Sequence, residues 1–205
     1  MTFMYRFGKF LNRLLSSQLF GIRIYGNENA PQDRSFILAC NHISYFDPSL
    51  VGSWIKPEVI FFAKAELFKN PFMAKVMHQV NARPVRRGTV DRRALKVVFE
   101  ALDSGLVLVI FPEGTRAREG HLLKPKPGVG LMARKADCPI LPVYIHGTDQ
   151  LKNALLRRVQ MSITYGEPIT ADWIQSLPDG KDTYQVIAER VMEEIAALKD
   201  SHHTQ

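Results

Sequence analysis

The chain has 205 residues, of which 46% are apolar and 23% charged, a balance that indicates one globular domain and excludes a disordered or fibrous protein. It carries 27 Lys and Arg against 20 Asp and Glu, and the net charge of +7 favours anionic partners such as phospholipid headgroups, a phosphorylated substrate or nucleic acid. Two cysteines, Cys40 and Cys138, are too few for the disulfide framework of a secreted protein, so a reducing cytosolic location is expected.

An amphipathic pattern fills the first residues of the chain. Apolar side chains recur at helical spacing, whereas three basic side chains fall together on the opposite side: Phe3, Met4, Phe7, Phe10, Leu11, Leu14 and Leu15 against Arg6, Lys9 and Arg13. The pattern is unlike a signal peptide, and no stretch reaches the roughly 18 apolar residues that would span a bilayer. Residues 1–19 are therefore predicted to form a helix at the membrane surface, with its apolar stripe in the headgroup boundary and its basic side toward anionic lipid. The alternative is that the stripe packs on the domain core.

Strand-like and helix-like patterns alternate through the rest of the chain. Runs rich in β-branched and aromatic residues predict strands at residues 20–25, 35–40, 59–63, 106–111, 140–145 and 159–165. Helical periodicity predicts helices at residues 48–55, 71–79, 91–104, 128–136 and 182–198, with Gly105 ending the third helix and Asp182 capping the last. This alternation predicts an α/β fold, in which a single domain over residues 20–200 has a largely parallel sheet covered by helices.

The first candidate site follows the predicted strand at residues 35–40 and reads Asn-His-Ile-Ser-Tyr-Phe-Asp-Pro from Asn41 to Pro48. A histidine at the carboxyl end of a strand in an open α/β sheet meets the ligand crevice. A loop that curls back would bring the Asp47 carboxylate to one imidazole nitrogen of His42 and leave the other nitrogen to act as a general base. The alternative is structural: Asp47 caps the helix that begins at Pro48, and His42 only binds loop backbone.

Three further charged segments are candidate sites. The sequence Phe-Pro-Glu-Gly-Thr-Arg at 111–116 follows the predicted central strand, so it should open on the same side of the sheet as His42. The alternative there is a tight turn with a solvated Arg116. Arg86 and Arg87 belong to a basic cluster at residues 81–88, ahead of the predicted helix at residues 91–104, and guanidinium groups bind phosphate bidentately. The alternative is that this charge run is only a solvated face. Lys64 follows another predicted strand.

In their order along the chain these segments resemble the motifs of the glycerolipid acyltransferases, specifically the 1-acyl-glycerol-3-phosphate acyltransferases. The matching segments are Asn-His-x-Ser-x-x-Asp at 41–47, Lys-x-Glu-Leu at 64–67 leading to Pro-Val-x-Arg-Gly at 84–88, Phe-Pro-Glu-Gly-Thr-Arg at 111–116, and Ile-Leu-Pro-Val at 140–143. The combination of the first and third motifs, about seventy residues apart, is far more specific than either motif alone.

The resemblance implies a role for each motif residue. It makes His42 the base and Asp47 the residue that orients it, with Asn41 and Ser44 supporting the motif. The residues implied to bind the glycerol phosphate are Lys64, Arg87, Glu113, Gly114 and Arg116. Arg86 stands where many members of the family carry an acidic residue, so whether Arg86 or Arg87 contacts phosphate is left open.

The implied reaction is direct transfer of a fatty acyl group from acyl-CoA or acyl carrier protein to the free hydroxyl of 1-acyl-glycerol 3-phosphate, giving phosphatidic acid. It is expected at the cytoplasmic face of a membrane, with no bound cofactor or metal and no nucleic-acid partner. The alternatives are another lyso-lipid acceptor and, from a different class, a basic nucleic-acid-binding module without catalysis. A hydrolase with Ser44 as nucleophile is disfavoured because the chain has no Gly-x-Ser-x-Gly elbow, and Cys40 ends an apolar strand, as a core residue would.

Overall fold

The computed structural model describes residues 3–85, 92–117 and 121–202, and this part of the chain is built around a seven-stranded sheet. The strands are β1 (Arg23–Tyr25), β2 (Ile37–Cys40), β3 (Val59–Lys64), β4 (Ala82–Val85), β5 (Val107–Ile110), β6 (Ile140–His146) and β7 (Ser162–Tyr165). The α-helices are α1 (Phe3–Phe20), α2 (Asp47–Ser53), α3 (Pro71–Gln79), α4 (Arg92–Asp103), α5 (Gly128–Ala136), α6 (Leu151–Leu155), α7 (Ala171–Ser176) and α8 (Lys181–His202).

The order of strands across the sheet is β1-β7-β6-β2-β5-β3-β4, and every neighbouring pair is parallel except β6 with β7. In the centre, Ile37 of β2 lies opposite Leu108 of β5 on one side and Ile140 of β6 on the other. All four residues of β2 are buried, as expected for a parallel strand covered on both faces. The predicted α/β fold is confirmed, and the carboxyl ends of β2, β5 and β6 lie together at one edge.

Helices cover the two faces of the sheet with two separate apolar clusters. Leu38 and Cys40 of β2 belong to the cluster that includes α2, whereas Ile37 and Ala39 belong to the cluster that includes α4, α5 and α8. This division follows from the two-residue period of a strand, whose successive side chains point to opposite faces. The loops at the carboxyl edge are therefore held by strands that are buried on both sides.

The basic cluster at residues 81–88 overlaps a strand that the periodicity did not predict. The strand β4 lies at the edge of the sheet beside β3, where Pro84 is tolerated because an edge strand has one side without ladder hydrogen bonds. Its sequence, Ala-Arg-Pro-Val, is too short and too polar to stand out as a strand. Arg86 and Arg87 lie outside the described residues. The short helices α6 and α7 were also not predicted.

Some predicted boundaries are confirmed and others are wrong. Gly105 ends α4 with a φ of 81°, as predicted for a left-handed glycine. The predicted strand at residues 20–25 starts too early, because Phe20 is the last residue of α1 and the strand itself is Arg23–Tyr25. Asp182 lies inside the first turn of α8 rather than at its N-cap, since the helix already begins at Lys181.

The helix α1 packs on the domain through its polar side, which is opposite to the prediction. Lys9 and Arg13 donate hydrogen bonds to carbonyl oxygens at the end of α2 and just beyond it: those of Ser53, Ile55, Lys56 and Pro57. Tyr5 is buried, and its hydroxyl accepts from the Val59 amide at 2.9 Å. Burial, with Arg13 nearby, lowers the pKa of Lys9 to about 8. The prediction that Lys9 and Arg13 face lipid is therefore wrong.

The apolar stripe of α1 faces outward, so the alternative that it packs on the core is also wrong. All of its members are exposed, and so is Leu19, the next leucine of the helix; the members are Phe3, Met4, Phe7, Phe10, Leu11, Leu14 and Leu15. Of the three basic residues, only Arg6 is exposed. Within the described residues there is no helix with the length and apolar character to cross a membrane. The division into a helix at 1–19 and a domain at 20–200 stays a prediction.

Candidate active site

The loop that carries His42 is fixed to the sheet by the residue before it. Asn41 is buried directly after β2, and its side chain donates to the Ile145 carbonyl at 3.0 Å and accepts from the Ile145 amide at 2.7 Å. Because Ile145 belongs to β6, this pair of bonds extends the contact of β2 with its neighbour by one residue. The chain then leaves the sheet at a defined position, with His42 first beyond it.

The Asp47 carboxylate reaches back from the start of α2 to His42, as the first motif predicts. Its Oδ2 lies 2.9 Å from His42 Nδ1 and also accepts from the amides of Ile43 at 2.8 Å and Ser44 at 2.7 Å. Its Oδ1 accepts from the Thr148 hydroxyl at 2.6 Å. An ionised carboxylate only accepts hydrogen bonds, so Nδ1 is the donor in this contact, and in the neutral imidazole Nε2 is then the nitrogen with the free lone pair. This arrangement selects the tautomer that a general base needs.

The capping alternative for Asp47 is wrong. The helix α2 starts at Asp47 with Phe46 at the N-cap position, and no side chain caps it. The sequence signal for a helix start was correct, since Pro48 stands in the first turn. The carboxylate instead closes the preceding loop, and it is fully buried while doing so. A buried carboxylate is stable there because four donors surround it.

An aromatic side chain also packs against the face of the imidazole ring. His42 stacks on Phe111 with ring centroids 4.0 Å apart and planes inclined by 25°. Phe111 directly follows β5, so the first and third motifs meet at the carboxyl edge, as predicted. The His42 side chain is 12% exposed, which leaves a small accessible part for a substrate.

Glu113 joins the two motif loops rather than extending into open space. One of its carboxylate oxygens accepts from the His42 amide at 3.0 Å and the other from the Leu123 amide at 2.9 Å. The Ala117 amide donates to the His42 carbonyl at 2.7 Å, so both polar backbone groups of His42 are bound. Glu113 is buried, which raises its pKa, whereas the two backbone hydrogen bonds lower it. The structure gives this residue a positioning role, and its contact with a substrate stays a prediction.

The other described residues that are implied to bind the substrate, Gly114, Arg116 and Lys64, have no hydrogen bond to His42 or Asp47. Gly114 has a φ of 69°, and a Cβ built there would lie 3.0 to 3.1 Å from the Lys126 side chain. Arg116 is exposed and lies over the Tyr45 ring, 3.6 Å from its centroid, while donating to the Tyr45 hydroxyl at 2.8 Å. Lys64 is exposed at the end of β3. Its partner in the neighbouring strand is Val85, the last described residue before Arg86 and Arg87.

Neither of the proposed alternative nucleophiles has the geometry for that role. The Ser44 hydroxyl accepts from the Phe46 amide at 3.4 Å within the turn, while His42 Nδ1 is directed at Asp47. Cys40 is fully buried, and burial raises the pKa of its thiol well above the ordinary value. A thiol of this kind is not a nucleophile, because the reactive form is the thiolate.

Sequence reasoning missed Thr148 and Lys126. Thr148 follows β6 and binds Asp47, but only the strand order brings the end of β6 next to the end of β2. Lys126 lies ten residues after the end of the third motif and returns to it because its amide donates to the Pro112 carbonyl at 2.9 Å. A polar residue just after an apolar strand is a signal that could have identified Thr148.

Thr148 allows a test of how strictly Asp47 must be held. Thr148→Val should leave Asp47 Oδ1 buried with one donor fewer, which costs roughly 1 to 3 kcal/mol and about tenfold or more in kcat if the imidazole loses its orientation. The KM for either substrate should change little. Thr148→Ser should restore kcat, because it returns the hydroxyl. A purely structural role would lower the melting temperature without changing the kcat of the folded protein.

These features define an α/β protein with a histidine and aspartate pair at the carboxyl edge of a parallel sheet. The model of the Acyltransferase family matches residues 21–146, which contain β1 to β6 and both motif loops. The chain belongs to the acyltransferase family. Its reaction class is therefore O-acyl transfer.

Individual relatives agree with this family. The chain is 29% identical over 198 residues to the 1-acyl-sn-glycerol-3-phosphate acyltransferase of Bacillus subtilis, covering 96% of this chain and 98% of that protein. It is 30% identical over 171 residues to the enzyme of the same name from Streptococcus pneumoniae, covering 82% of this chain and 62% of that protein. The crystal structure of the 1-acyl-sn-glycerophosphate acyltransferase PlsC from Thermotoga maritima matches with a TM-score of 0.71 and 29% identity, covering 96% of this chain and 78% of that one.

Proposed function

We propose that this protein transfers a fatty acyl group from the thioester of acyl-CoA or acyl carrier protein to the free hydroxyl of 1-acyl-glycerol 3-phosphate, giving phosphatidic acid. The observation that carries the proposal is the pair of His42 and Asp47, whose 2.9 Å contact leaves Nε2 as the proton acceptor. The names of the relatives from Bacillus subtilis and Streptococcus pneumoniae support the lysophosphatidic acid acceptor.

The reaction needs one base and no covalent enzyme intermediate. His42 Nε2 takes the proton of the acceptor hydroxyl as the oxygen attacks the thioester carbonyl, and Asp47 stabilises the imidazolium that forms. When the tetrahedral intermediate collapses, the C–S bond breaks and the imidazolium protonates the departing thiolate. General base catalysis of this kind contributes about 10² to 10⁴ in rate.

The hydrogen bonds of the site restrict where the oxyanion is bound. The amides of His42, Ile43 and Ser44 already donate to carboxylates, so they are occupied in this arrangement. Donors for the developing oxyanion must therefore come from other groups that line the cleft. The loop from Phe111 to Arg116 is the nearest such segment, because Phe111 stacks on the imidazole itself.

Cations on the β5 side of His42 favour a phosphorylated acceptor. Lys126 lies against Gly114, and Arg116 is exposed beside the His42 loop. Lys64 lies beside the end of β4, from which the chain continues to Arg86 and Arg87. Basic side chains of this kind bind phosphate by charge and, for arginine, by paired hydrogen bonds. The acceptor phosphate is proposed to lie on this side of the imidazole.

Single substitutions can distinguish which of the adjacent residues Arg86 and Arg87 contacts the acceptor phosphate. Arg87→Ala is expected to raise the KM for lysophosphatidic acid by about tenfold to a hundredfold, because a guanidinium contact to phosphate contributes roughly 1.5 to 3 kcal/mol. The KM for the acyl donor should stay within a few-fold of that of the natural protein. Arg86→Ala is the matched control. A larger effect from Arg86→Ala than from Arg87→Ala would reverse the assignment, and equal losses for donor and acceptor would contradict it.

The proposed place of action is the surface of a membrane, where substrate and product both reside. Support comes from α1, which binds the domain through Lys9, Arg13 and Tyr5 and presents its apolar stripe outward. A soluble domain rarely exposes so many large apolar side chains on one helix without a partner. Anchoring by the polar side leaves the apolar side free to enter the headgroup boundary.

An apolar cavity connects this helix with the catalytic loop. It has a volume of about 310 Å³ and is lined by Leu11, Leu15 and Phe20 of α1 together with Phe46 and Leu50. Phe46 directly precedes Asp47 and is itself 52% exposed. Lipid chains gain about 0.8 kcal/mol for each buried CH₂, so a cavity of this character suits an acyl chain. The apolar surface thus extends from the stripe to the loop that holds the base.

The direct test is an assay of the purified protein with an acyl thioester and a panel of lysophospholipids, with products identified by mass. Phosphatidic acid as the main product is the expected result. Transfer to a different lyso-lipid in preference would retain the reaction class and change the acceptor. Salt-sensitive binding to DNA or RNA with no acyl transfer would instead favour the alternative of a nucleic-acid-binding module.

A further inference from the structure

A second exposed apolar surface lies at the end of the short helix α6. Leu155 and Leu156 are 53% and 60% exposed, although Ala154 just before them is fully buried in the core. Arg157 and Arg158 follow directly, and both are exposed. We call residues 155–158 the α6 patch. Large apolar side chains beside cations suit the surface of an anionic bilayer, where apolar groups enter the headgroup boundary and cations meet the lipid charge.

The α6 patch continues the apolar stripe of α1. Leu151, which lies one helical turn before Leu155, lines the cavity of about 310 Å³ together with Leu11 and Leu15 of the stripe. Residues four apart lie on the same side of a helix, so Leu155 continues the side of α6 that faces the cavity. The stripe, the cavity and the patch form one apolar region rather than separate exposed residues. A soluble domain rarely exposes such a region without a partner.

Arg157 fixes the position of the α6 patch relative to α1. Its guanidinium donates to the Gln18 carbonyl at 3.1 Å and lies against Gly21, where a Cβ would overlap it. Gln18 belongs to the last turn of α1, where carbonyl oxygens lack partners within the helix. Arg157 has a φ of 56°, a conformation that usually calls for glycine after a helix. An arginine in that conformation points to a use for its side chain, and the contact it makes is with the helix that carries the stripe.

The charge around the α6 patch is complementary to anionic lipid. Residues 151–160 contain Lys152, Arg157 and Arg158 but no Asp or Glu. In the described part of the chain, no carboxylate forms an ion pair with any of these three. On α1, by contrast, Lys9 and Arg13 are directed at the domain. The α6 patch therefore supplies the positive charge that the outward side of α1 largely lacks.

We infer that the α6 patch is a second membrane-binding site, which meets anionic phospholipid beside the apolar stripe of α1. Leu155 and Leu156 enter the headgroup boundary, Arg158 meets the negative charge of the lipid, and Arg157 holds the patch against α1. This inference rests on the membrane location proposed above and adds a separate contact to it.

Two variants separate the apolar part of the patch from its charge. Leu155→Asp combined with Leu156→Asp removes the apolar part, and its control is Val186→Asp on α8, which packs on the other face of the sheet. Arg158→Gln removes one charge, and its control is Lys135→Gln, an exposed position of α5 on that other face. Binding is measured by sedimentation with vesicles of phosphatidylcholine alone and of an equal mixture of phosphatidylcholine and phosphatidylglycerol.

The double aspartate variant of the α6 patch is expected to bind both kinds of vesicle at least about tenfold more weakly, because its leucines no longer enter the headgroup boundary. Arg158→Gln should weaken binding to the mixed vesicles by about fivefold and leave binding to phosphatidylcholine unchanged, since its contact is with lipid charge. Both controls should bind as the natural protein does. Unchanged binding of the aspartate variant, or an effect of Arg158→Gln that does not depend on anionic lipid, overturns the inference.

A fluorescent label reports on the patch without disrupting it. Cys40 and Cys138 are buried, so an environment-sensitive fluorophore attaches selectively to Leu156→Cys, with Val186→Cys as the control. A blue shift on addition of the mixed vesicles is expected for the first label only, and no shift there overturns the inference. A change from dimer to monomer in the double aspartate variant, with vesicle binding unchanged, also overturns it, because the patch would then join two copies of the chain.

The same measurements distinguish this inference from the proposed function. If the natural protein binds neither kind of vesicle, the proposed membrane location fails and the patch fails with it. Vesicle binding is measured without turnover, so a lack of acyl transfer by the natural protein would contradict the proposed reaction without changing the result for the α6 patch.

Discussion

Replacing His42 by alanine is expected to lower kcat by about 10² to 10⁴, the range that a positioned general base contributes. The fold should survive, because the ring lies in a loop at the edge of the sheet and stacks on one side chain, Phe111. Turnover is measured with purified protein at saturating acyl donor and lysophosphatidic acid. Circular dichroism and thermal unfolding of the same sample establish that the variant is folded.

Asp47→Asn should impair turnover to a similar extent but also destabilise the protein. The carboxylate accepts from His42, Ile43, Ser44 and Thr148, and an amide replaces one accepting oxygen with an NH₂ group that faces donors. An unsatisfied buried group of this kind costs roughly 1 to 3 kcal/mol. The free energy of unfolding must therefore be measured before the kinetics of this variant are interpreted.

A matched control separates loss of the base from loss of any imidazole. His78 lies in α3 and contacts Phe68, with ring centroids 5.2 Å apart, and takes no part in the described site. His78→Ala should retain kcat within about twofold, as expected for a substitution away from the site. If folded His42→Ala keeps turnover close to that of His78→Ala, the base is a different group and the mechanism is wrong.

The contact between His42 and Asp47 could be predicted because all of its determinants are local. An apolar strand, a polar turn and a Pro-marked helix start lie within fourteen residues, so the loop between strand and helix has little freedom. The spacing of four residues between the two side chains then brings the carboxylate back to the ring. The contacts of Thr148 and Glu113 could not be derived in this way, because they join segments 101 and 71 residues apart in the chain.

Strand order is the information that the sequence pattern lacks. Each buried strand is recognisable by its apolar run, but β2, β5 and β6 resemble one another in composition, and nothing in their periodicity assigns neighbours. The position of β6 beside β2 determines that Thr148 reaches Asp47 and that Asn41 binds Ile145. Edge strand β4 was missed for a different reason, since Pro84 and Arg83 break the apolar alternation on which strand prediction depends.

The helix α1 shows a further limit of pattern reading. Periodicity correctly divided the helix into an apolar and a basic side, but it could not say which side meets the domain. The usual expectation places the apolar side inward. Here carbonyl oxygens at the end of α2 are available as acceptors, and Lys9 and Arg13 satisfy them. This contact determines the orientation and leaves the apolar stripe exposed.

Because the apolar stripe faces outward, substitutions in it should strongly weaken binding to a membrane. Phe7→Asp combined with Phe10→Asp should reduce binding to phospholipid vesicles by at least about 100-fold, since each buried phenylalanine contributes roughly 1.5 to 3 kcal/mol to transfer from water. These side chains are 48% and 61% exposed, so the thermal stability of the protein in solution should change little. Binding is measured by sedimentation with vesicles, and turnover is compared between vesicle and detergent-dispersed lysophosphatidic acid. Activity on the dispersed substrate should be largely retained.

Two controls distinguish the stripe from the charge of the helix. Val186→Asp changes an equally exposed apolar residue on α8, a helix that packs on the other face of the sheet, and should leave vesicle binding intact. Arg13→Met should lower the stability of the protein and leave vesicle binding unchanged, whereas the double aspartate variant should do the reverse. Arg13 is bound to carbonyl oxygens of the domain, so its loss should lower the free energy of unfolding by roughly 1 to 3 kcal/mol without weakening vesicle binding in the protein that remains folded.

The salt dependence of binding follows from the same orientation. Because Lys9 and Arg13 are directed at the domain, Arg6 is the one basic residue of α1 that reaches an anionic surface, where it contributes about 1 kcal/mol. Removing anionic lipid from the vesicles should therefore weaken the contribution of α1 far less than the double aspartate substitution does. If the double variant binds vesicles as tightly as the natural protein, the stripe is covered by something other than a bilayer. If Arg13→Met instead abolishes binding while stability is unchanged, the helix meets the membrane through its basic side, and the orientation in the structure is not the one at the membrane.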